Sequence, residues 1–334
     1  MNKKVKFAIY GCGLIANTHI RALQSLDTVT VVGVGDINLE AAKSFAEKYG
    51  VSKVFESYDE ILSSHEVEAI CVCTPSGTHA SLGIMALEHD KNVVLEKPMA
   101  ITTEDCDRII AARQKSRGKV LVISQLRAHA DVRRAKSIID SGALGKICVC
   151  DVFMKYYRKP DYYKGSWRGT KKMDGGGALM NQGIHGVDLL IHLCGEVKNV
   201  RSIVRTSLHD IEVEDTAIAL LEFESGAVGI IETTTCAYPG FNRRIEIAGS
   251  DGAIIINEGA IERLVIRGQN LDERNVIETS EKASDPRVSD ISDHRNQLSE
   301  FVDVLLGDER ISWCDENEGR KAVSLIEQIY KSSI

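Results

Sequence analysis

The sequence predicts an α/β protein of two domains. A doubly wound parallel sheet is expected over residues 1–125, and an α+β domain with a large open, mostly antiparallel sheet over residues 126–334. Three observations lead to this prediction. The 334 residues exceed one ordinary hydrophobic core. The first third alternates hydrophobic runs with helical segments. After about Gln125, strand-like runs follow one another without helices between them.

The first domain is predicted to alternate strands and helices. Its strands are near-continuous hydrophobic runs, which is typical of a parallel sheet covered on both faces. The predicted strands are Val5–Tyr10, Val29–Gly35, Ala69–Thr74, Asn92–Glu96 and Val120–Ser124. Helical spacing is found at Leu14–Leu26, Leu39–Tyr49, His79–His89 and Thr103–Lys115.

The second domain begins with a helix, Asp131–Ser141, and a long strand, Ile147–Lys155. An aromatic and basic loop and a Gly-rich helix follow. The further predicted strands are Val200–Ser207, Asp215–Phe223, Val228–Cys236, Arg243–Gly249, Ala253–Asn257 and Leu264–Arg267. Asn270–Asp293 is predicted as a loop because it is polar and poorly periodic, and helices near His294–Leu306 and Glu316–Lys331 end the sequence.

Composition excludes several classes of function. The net charge of −7 gives no electrostatic reason to expect nucleic acid or an anionic membrane as a partner. No hydrophobic run approaches the roughly 20 residues that cross a bilayer. Two lysines lead directly into the first strand, so no signal peptide is expected. The nine cysteines include no Cys-x-x-Cys pair and are interpreted as small buried side chains in a reducing cytoplasm, with no metal expected.

A glycine-rich turn is predicted after the first strand. Gly11, Gly13 and Ala16 form the pattern G-x-G-x-x-A where a helix begins, and Leu14 and Ile15 belong to the same turn. In this pattern the first glycine makes the tight turn and the second lets the backbone approach a pyrophosphate. The pyrophosphate then lies on free N–H groups at the helix N-terminus. An ordinary strand–helix turn is the alternative, and the position of Asp36 weighs against it.

Asp36 ends the second strand, about 20 residues beyond the glycines, where such a carboxylate bonds the adenosine ribose hydroxyls. Its charge would repel a 2′-phosphate, so NAD is expected rather than NADP.

Polar residues follow the predicted strands Ala69–Thr74 and Asn92–Glu96. Ligands of such sheets bind beyond the carboxyl ends of the strands, so these residues are candidate cofactor contacts. They are Thr74, Pro75, Thr78, His79, Glu96 and Lys97. His79 begins a helix and is most simply a surface residue. Lys97 lies between the end of a buried strand and a proline, which favours a functional position over a solvated turn.

The segment DGGGALMNQGIHGVDLL carries Asn181, His185 and Asp188, four and then three residues apart. Residues at these spacings are neighbours on a helix, so they are expected on one flank, with Asp188 orienting His185. The glycines are expected to allow close approach at the helix start, where N–H groups would face cofactor or substrate oxygens. The alternative is a core histidine with a structural partner.

The loop Tyr156–Lys172 is rich in aromatic and basic residues. Aromatic faces suit sugar rings, and arginine pairs with carboxylates or phosphates. The residues expected to line the substrate entrance are Tyr156, Arg158, Tyr163, Trp167 and Arg168, and a solvated lid or an interface loop is the alternative. Gln125 and Arg127 follow the predicted strand Val120–Ser124. They are candidates for contact with the nicotinamide and the substrate, respectively, with a hinge as the alternative.

These pieces together resemble the family of glucose–fructose oxidoreductase, inositol dehydrogenase and MocA (Gfo/Idh/MocA). The resemblance rests on GCGLIA, TPSGTH, EKP, SGALGKI and GGGALMNQGIHGVDLL, in the expected order over nearly the whole chain. It implies a Rossmann domain, a substrate domain whose open sheet forms homodimers or homotetramers, a nicotinamide cofactor, and oxidation of a sugar, polyol or related hydroxyl. It places Trp167 and Arg168 near the nicotinamide.

The resemblance also implies roles for individual residues. Lys97 is expected beside the reacting carbinol, and His185 as the proton acceptor. Many members carry an aspartate four residues before that histidine, where this chain has Asn181. Because an amide cannot relay a proton as a carboxylate does, Asn181 is interpreted as a hydrogen-bonding residue for substrate or cofactor. GALMNQGIH, preceded by WRGT, resembles members that act on nucleotide-linked aminosugar uronates.

Two other functions remain open from the sequence. The same fold hosts NAD-using glycosidases that oxidise their substrate transiently, and these produce no net NADH. A few relatives bind dinucleotide and sugar as regulators without catalysis. Loss of the lysine or the histidine would indicate a regulator, and this chain has both Lys97 and His185.

Overall fold

The computed structural model describes residues 3–268, 291–308 and 314–334. Contacts divide them into two compact units. The first contains residues 3–125, 291–308 and 314–320, and the second contains 126–268 and 321–334. Each unit is organised around one sheet. Among the described residues, no helix has the length and apolar character that a membrane span requires.

The strands, in chain order, belong to two sheets. Those of the first sheet are β1 (Val5–Tyr10), β2 (Val29–Gly35), β3 (Val54–Phe55), β4 (Ala69–Val72), β5 (Asn92–Leu95) and β6 (Val120–Val122). Those of the second are β7 (Ile147–Lys155), β8 (Val197–Arg205), β9 (Thr216–Phe223), β10 (Val228–Thr234), β11 (Arg244–Gly249), β12 (Gly252–Asn257) and β13 (Ala260–Ile266).

The α-helices of the described residues are interleaved with these strands. They are α1 (Ala16–Gln24), α2 (Leu39–Tyr49), α3 (Tyr58–Ser63), α4 (His79–Glu88), α5 (Thr103–Lys115), α6 (Ala130–Asp140), α7 (Ile184–Cys194), α8 (Ser292–Leu305) and α9 (Glu316–Lys331). A π-helical turn, Ala178–Gly183, leads directly into α7.

The first sheet has the strand order β3-β2-β1-β4-β5-β6, and every pairing is parallel. The order reverses between β1 and β4, so the turns after these two strands lie side by side. Sheets of this kind bind ligands at that reversal. The predicted doubly wound parallel sheet is therefore confirmed.

The second sheet has the order β13-β12-β11-β7-β10-β9-β8. Only the pairing of β7 with β10 is parallel among those described, so the predicted mostly antiparallel sheet is also confirmed. Along β9 the side chains alternate. Ala217, Ala219 and Leu221 are buried, whereas Ile218 and Leu220 are 42% and 59% exposed. One face of the sheet is therefore uncovered at β9.

The structure differs from the sequence prediction at α8. The prediction assigned residues 126–334 to one second domain, whereas α8 belongs to the first unit. Its apolar residues Leu298, Phe301 and Val302 are buried in the core that also contains Phe7 and Ile20. The spacing of an amphipathic helix shows that it packs, but not against which core.

Other differences are local. The strand β3 and the short helix α3 were not predicted. The helix α8 begins at Ser292, two residues before the predicted start, and of the predicted loop Asn270–Asp293, residues 270–290 lie outside the described residues. Most other boundaries differ by one to three residues, and that of β13 by four, because pairing and capping decide where an element ends.

Candidate functional site

Gly11 makes the tight turn after β1. Its φ is +93°, and a Cβ there would lie 2.7 Å from the backbone carbon of Cys73 and 2.9 Å from the Thr74 side chain. Cys73 also donates its N–H to the carbonyl of Tyr10 at 2.8 Å, which holds the turns after β1 and β4 together. Only glycine satisfies both the backbone conformation and this close approach.

Gly13 differs from Gly11 because nothing in the protein excludes a side chain there. No atom lies within 4 Å of the position that its Cβ would occupy. The space beside Gly13 therefore lies open at the start of α1, where helix N–H groups favour an anion. The turn fits the pyrophosphate of a dinucleotide, as the sequence analysis predicted from the spacing.

Asp36 lies beside this turn at the end of β2. Its carboxylate accepts the backbone N–H of Cys12 at 2.6 Å and that of Asn38 at 2.8 Å. Burial, together with the charge of Asp36, raises the pKa of the Cys12 thiol to about 12. The protonated thiol lies 3.5 Å from the Gly35 carbonyl and donates to it. Asp36 is thus oriented by the glycine-rich turn itself.

The turn after β4 is held by the candidate residues Thr74, Thr78 and His79. The hydroxyls of Thr74 and Thr78 are 2.7 Å apart. His79 is buried, with one ring nitrogen 2.9 Å from the Thr74 carbonyl and the other 2.7 Å from the Pro98 carbonyl. The expectation of a surface histidine was wrong, because the ring connects the turns that follow β4 and β5. Burial lowers the pKa of His79.

Glu96, at the end of β5, lies in a buried cluster with His19 of α1 and His294 of α8. Its Oε1 is 2.7 Å from Nε2 of His19 and 3.8 Å from Nε2 of His294. One polar side-chain atom from each of the three residues lies within 4.8 Å of the other two. The shortest separation is that of a hydrogen bond. Burial alone would raise the pKa of Glu96, but hydrogen bonds and charge from the two histidines hold it well below its usual range.

Lys97 follows directly, and its backbone N–H donates to Oε2 of Glu96 at 3.1 Å. From residue 93 to residue 100, Lys97 alone keeps partial exposure while every other residue is buried. A buried strand end thus presents one cation at its surface. A functional role for Lys97 stays a prediction.

The second unit holds the Gly-rich segment, which begins before the π-helical turn. The carboxylate of Glu214 accepts the N–H groups of Gly177 and Leu179 at 2.8 and 2.7 Å, and the hydroxyl of Tyr330 at 3.0 Å. A Cβ on Gly177 would overlap the carbonyl oxygen of Glu214, and one on Gly176 the Tyr330 hydroxyl.

The expectation that the N–H groups at the helix start face cofactor or substrate oxygens was therefore wrong for Gly177 and Leu179. Two N–H groups at the helix start bind Glu214, and the glycines at 176 and 177 are required by packing against Glu214 and Tyr330. Burial raises the pKa of Glu214, and the hydrogen bonds that it accepts oppose this shift.

His185 lies in the first turn of α7. From residue 183 to residue 191 it is the one residue that keeps partial exposure, as Lys97 does in its own run. Asp188 is buried and forms a two-point ion pair with Arg127, at 2.9 and 2.6 Å. Asp188 and Arg127 were both expected as substrate contacts, and the structure shows them as each other's partners.

Asn181 lies within the π-helical turn and is 8% exposed. Its side-chain N–H donates to Oδ1 of the buried Asp174 at 2.6 Å, and Oδ2 of Asp174 accepts the backbone N–H of Gly169 at 2.8 Å. Asp174 was not singled out from the sequence. No spacing rule connects it to Asn181, because the glycines between them have no regular helical conformation.

The aromatic and basic loop brings its arginines against aromatic rings. Arg158 is buried between the rings of Tyr156 and Tyr162, at 5.4 and 5.7 Å from their centres. Arg168 lies 4.9 Å from the rings of both Tyr162 and Trp167. These distances are typical of cation–π contacts. Arg168 and Trp167 keep partial exposure.

Tyr156 and Arg158 are buried and Tyr163 is half-buried, with its hydroxyl 3.1 Å from that of Thr235. The candidate substrate residues of this loop thus form packed contacts. Their contact with substrate stays a prediction, and so do the cofactor contacts predicted for Gln125, Leu14, Ile15 and Pro75.

Comparison with known proteins identifies the family. The model described as the oxidoreductase family with an NAD-binding Rossmann fold matches residues 5–124, and that of the GFO/IDH/MocA C-terminal domain matches residues 132–255. The chain is 30% identical to the WlbA dehydrogenase of Bordetella pertussis, solved in complex with NADH and UDP-GlcNAcA. The TM-score is 0.88, over 99% of this chain and 97% of that chain. The chain belongs to the Gfo/Idh/MocA family.

Other known proteins are similar at lower identity. Myo-inositol 2-dehydrogenase of Thermotoga maritima is 27% identical over 257 residues, which is 75% of this chain and 74% of that protein. Scyllo-inositol 2-dehydrogenase (NAD(+)) of Bacillus subtilis is 28% identical over 77% of this chain and 75% of that protein. Levoglucosan dehydrogenase shares the fold, with a TM-score of 0.87 at 20% identity over 99% of this chain and 97% of that chain.

This Gfo/Idh/MocA protein is an NAD-binding oxidoreductase, as the sequence predicted. The Gly11 turn, the open space at Gly13 and the oriented Asp36 are the structural features that fit the cofactor.

Proposed function

We propose that the protein is an NAD-dependent dehydrogenase acting on a hydroxyl of a sugar, sugar acid, nucleotide sugar or polyol. The observation that carries this proposal is that Lys97 and His185 each remain partly exposed within an otherwise buried run. A charged or titratable side chain kept accessible in this way is suited to chemistry rather than to packing. The 30% sequence identity to the WlbA dehydrogenase, over 99% of this chain, supports the proposal.

The bound nicotinamide supplies the hydride acceptor. Loss of a hydride from a carbinol requires removal of the hydroxyl proton, and His185, of a residue type whose unperturbed pKa is near 6.5, takes that proton at neutral pH. Lys97 stabilises the developing alkoxide by its positive charge. Asp36 bonds the adenosine ribose, and its charge favours NAD over NADP.

For the substrate we propose a nucleotide-linked aminosugar uronate. The WlbA dehydrogenase of Bordetella pertussis was solved with UDP-GlcNAcA at 30% identity, above the 27% and 28% of the inositol dehydrogenases. Arginines in the second unit suit such an anionic ligand, and Arg168, partly exposed beside Trp167, is the one that we propose contacts it.

The protein is further proposed to be a cytoplasmic homo-oligomer. Ile218, Leu220 and Val228, at 42%, 59% and 53% exposure, lie on the uncovered face of the second sheet. Exposed large apolar side chains grouped on one face of a sheet are typical of an interface. Native mass measurement would show a dimer or tetramer, and a monomer would contradict this part. The nine free cysteines fit a reducing compartment.

The catalytic test is reduction of NAD, followed at 340 nm, with UDP-GlcNAcA, myo-inositol and levoglucosan. In Lys97→Ala and His185→Asn, kcat should fall by about 10²–10⁴-fold, while the KM for NAD stays near that of the unmodified protein. Lys43→Ala is the matched control, because Lys43 is exposed and pairs only with Glu40 among the contacts described. Full turnover in Lys97→Ala would sink the mechanism.

The same assay separates the alternative functions. A glycosidase that oxidises transiently would consume its glycoside without net NADH, which product analysis detects. A regulator would bind NADH and sugar and turn over neither. The presence of both Lys97 and His185 in accessible positions favours the dehydrogenase.

A further inference from the structure

A chain of hydrogen bonds connects four side chains of the second unit, and we call it the polar chain. Arg158 donates to Oε1 of Gln182 at 2.9 Å, and Nε2 of Gln182 lies 3.4 Å from Oδ1 of Asn181. Asn181 donates to Asp174 at 2.6 Å. Arg158, Asn181 and Asp174 are buried, and Gln182 is half-buried.

The polar chain has one direction, which is determined at its ends. The Arg158 guanidinium can only donate, so the Gln182 atom that faces it is the oxygen. The amide nitrogen of Gln182 then donates to the Tyr162 hydroxyl, at 2.8 Å, and to Asn181. At the other end, the backbone N–H of Gly169 donates to Asp174, whose ionised carboxylate can only accept.

Asn181 therefore has a defined orientation between two neighbours. Its carbonyl oxygen faces the Gln182 nitrogen and its nitrogen faces the Asp174 carboxylate. A flipped amide would place oxygen against carboxylate and nitrogen against nitrogen, and both contacts are unfavourable in a buried site.

We propose that Asp174 and Gln182 are positioning residues that fix the Asn181 amide, and that the fixed amide selects between hydrogen-bond donors and acceptors on the substrate. This rests on the proposed function and on the interpretation of Asn181, from the sequence, as a hydrogen-bonding residue for the substrate. Where the amide presents its N–H, it binds an acceptor of the substrate, such as a carboxylate or keto oxygen. Where it presents its oxygen, it binds a donor of the substrate, such as a hydroxyl or an amide N–H. An amide that could flip would accommodate either kind of group.

The test exchanges the two residues in sequence. Asn181→Asp alone brings two carboxylates within hydrogen-bond distance, so its melting temperature should fall at pH 7 and recover near pH 5, as the pair takes up one proton. Asp174→Asn alone leaves one oxygen for two donors, Gly169 and Asn181, and should also melt earlier.

The double variant Asp174→Asn with Asn181→Asp restores the bonds described from Gly169 to Gln182, with the charge moved by one place. The new amide at 174 accepts from Gly169 and donates to the new carboxylate at 181, which still accepts from Gln182. Its melting temperature should return to within about 2 °C of the unmodified protein. The matched control is Asn199→Asp, beside the exposed Glu222 that Asn199 bonds at 2.8 Å, and it should melt almost normally.

A second measurement separates positioning from stability. With UDP-GlcNAcA and NAD, the double variant should show a KM for the sugar raised about tenfold and an unchanged KM for NAD, because the sugar now meets a carboxylate where the amide was. Where turnover is absent, calorimetric binding of UDP-GlcNAcA to the unmodified and double-variant proteins replaces KM.

The outcomes are distinct. The polar chain would be contradicted if both single variants melted at the temperature of the unmodified protein. It would also be contradicted if the melting temperature of the double variant stayed as low as that of the single variants. Recovery of both stability and sugar affinity in the double variant would overturn selection by Asn181. An unmodified protein that neither oxidises nor binds UDP-GlcNAcA overturns the substrate proposal and, with it, the selection, whereas the melting experiment still decides whether Asp174 orients Asn181.

Discussion

The cofactor turn and the Gly-rich segment differ in how far along the sequence their partners lie. Gly11, Gly13 and Asp36 lie within one strand–helix–strand stretch, and their geometry is mainly that of the backbone. The Gly-rich segment instead depends on Glu214, which bonds Gly177 from 37 residues away and Tyr330 from 116 residues away. Backbone geometry can be specified by a short motif, whereas a side chain acquires its orientation only from its neighbours.

The largest expected effect lies on the long-range side of this comparison. Gly177→Ala would place a Cβ onto the carbonyl oxygen of Glu214, a backbone atom and not the end of a flexible side chain. The variant should lose about 4 kcal/mol of unfolding free energy, as overpacking with loss of buried hydrogen bonds does. Urea unfolding measures this. A change below about 1 kcal/mol would show that Glu214 does not constrain the segment.

A pair of substitutions in the cofactor turn should separate folding from binding. Gly11→Ala forces a non-glycine residue to φ +93° and places its Cβ against Cys73. It should lower the free energy of unfolding by about 3 kcal/mol and also weaken NADH binding. Gly13→Ala meets no protein atom within 4 Å and should leave the melting temperature unchanged while it weakens NADH binding about tenfold. Fluorescence titration with NADH checks both. Equal NADH affinity in Gly13→Ala and the unmodified protein would contradict the assignment of the pyrophosphate position.

Asp215, which follows Glu214 in the sequence, tests the effect of a buried charge held by nearby backbone groups. Its carboxylate accepts the N–H groups of Ser207, Leu208 and His209 at 2.8, 2.7 and 2.9 Å. Burial would raise its pKa, but these bonds outweigh burial and lower it. A carboxyl group with a lowered folded pKa stabilises above its unfolded pKa, near 3.9, and loses this contribution as the pH falls through the folded value.

Asp215→Asn should therefore cost about 2 kcal/mol at pH 7, and the cost should shrink as the pH falls below about 4. Thermal melts of the two proteins across this range give the difference directly. A difference that grows on acidification would mean that the sign of the pKa shift is wrong.

The smallest expected effect concerns cofactor preference. Asp36→Ser removes the charge that would repel a 2′-phosphate, so the ratio of NAD to NADP efficiency, kcat/KM, should fall about tenfold or about 1.4 kcal/mol. Because Asp36 also holds the Cys12 N–H, the melting temperature should be recorded with it. An unmodified protein that prefers NADP would contradict the role of Asp36.

The sequence predicted those parts of the candidate site in which residue type and position are enough. Gly11 follows its strand, Asp36 ends the next, and Lys97 interrupts a buried run, and each lies where the spacing placed it. It missed Asp174, Gln182 and Glu214, and it took His79 for a surface residue. Each of these has partners distant in the chain or held by irregular backbone.

By itself, the sequence determined the fold class, the family and the cofactor turn. Alternating hydrophobic runs and a glycine motif act through local backbone preference and burial, which residue order encodes directly. Only the tertiary structure decided that α8 joins the first core, that Asp188 pairs with Arg127, and that Asp174 orients Asn181. Hydrogen-bond direction and ion pairing depend on distances between residues that spacing along a chain does not determine.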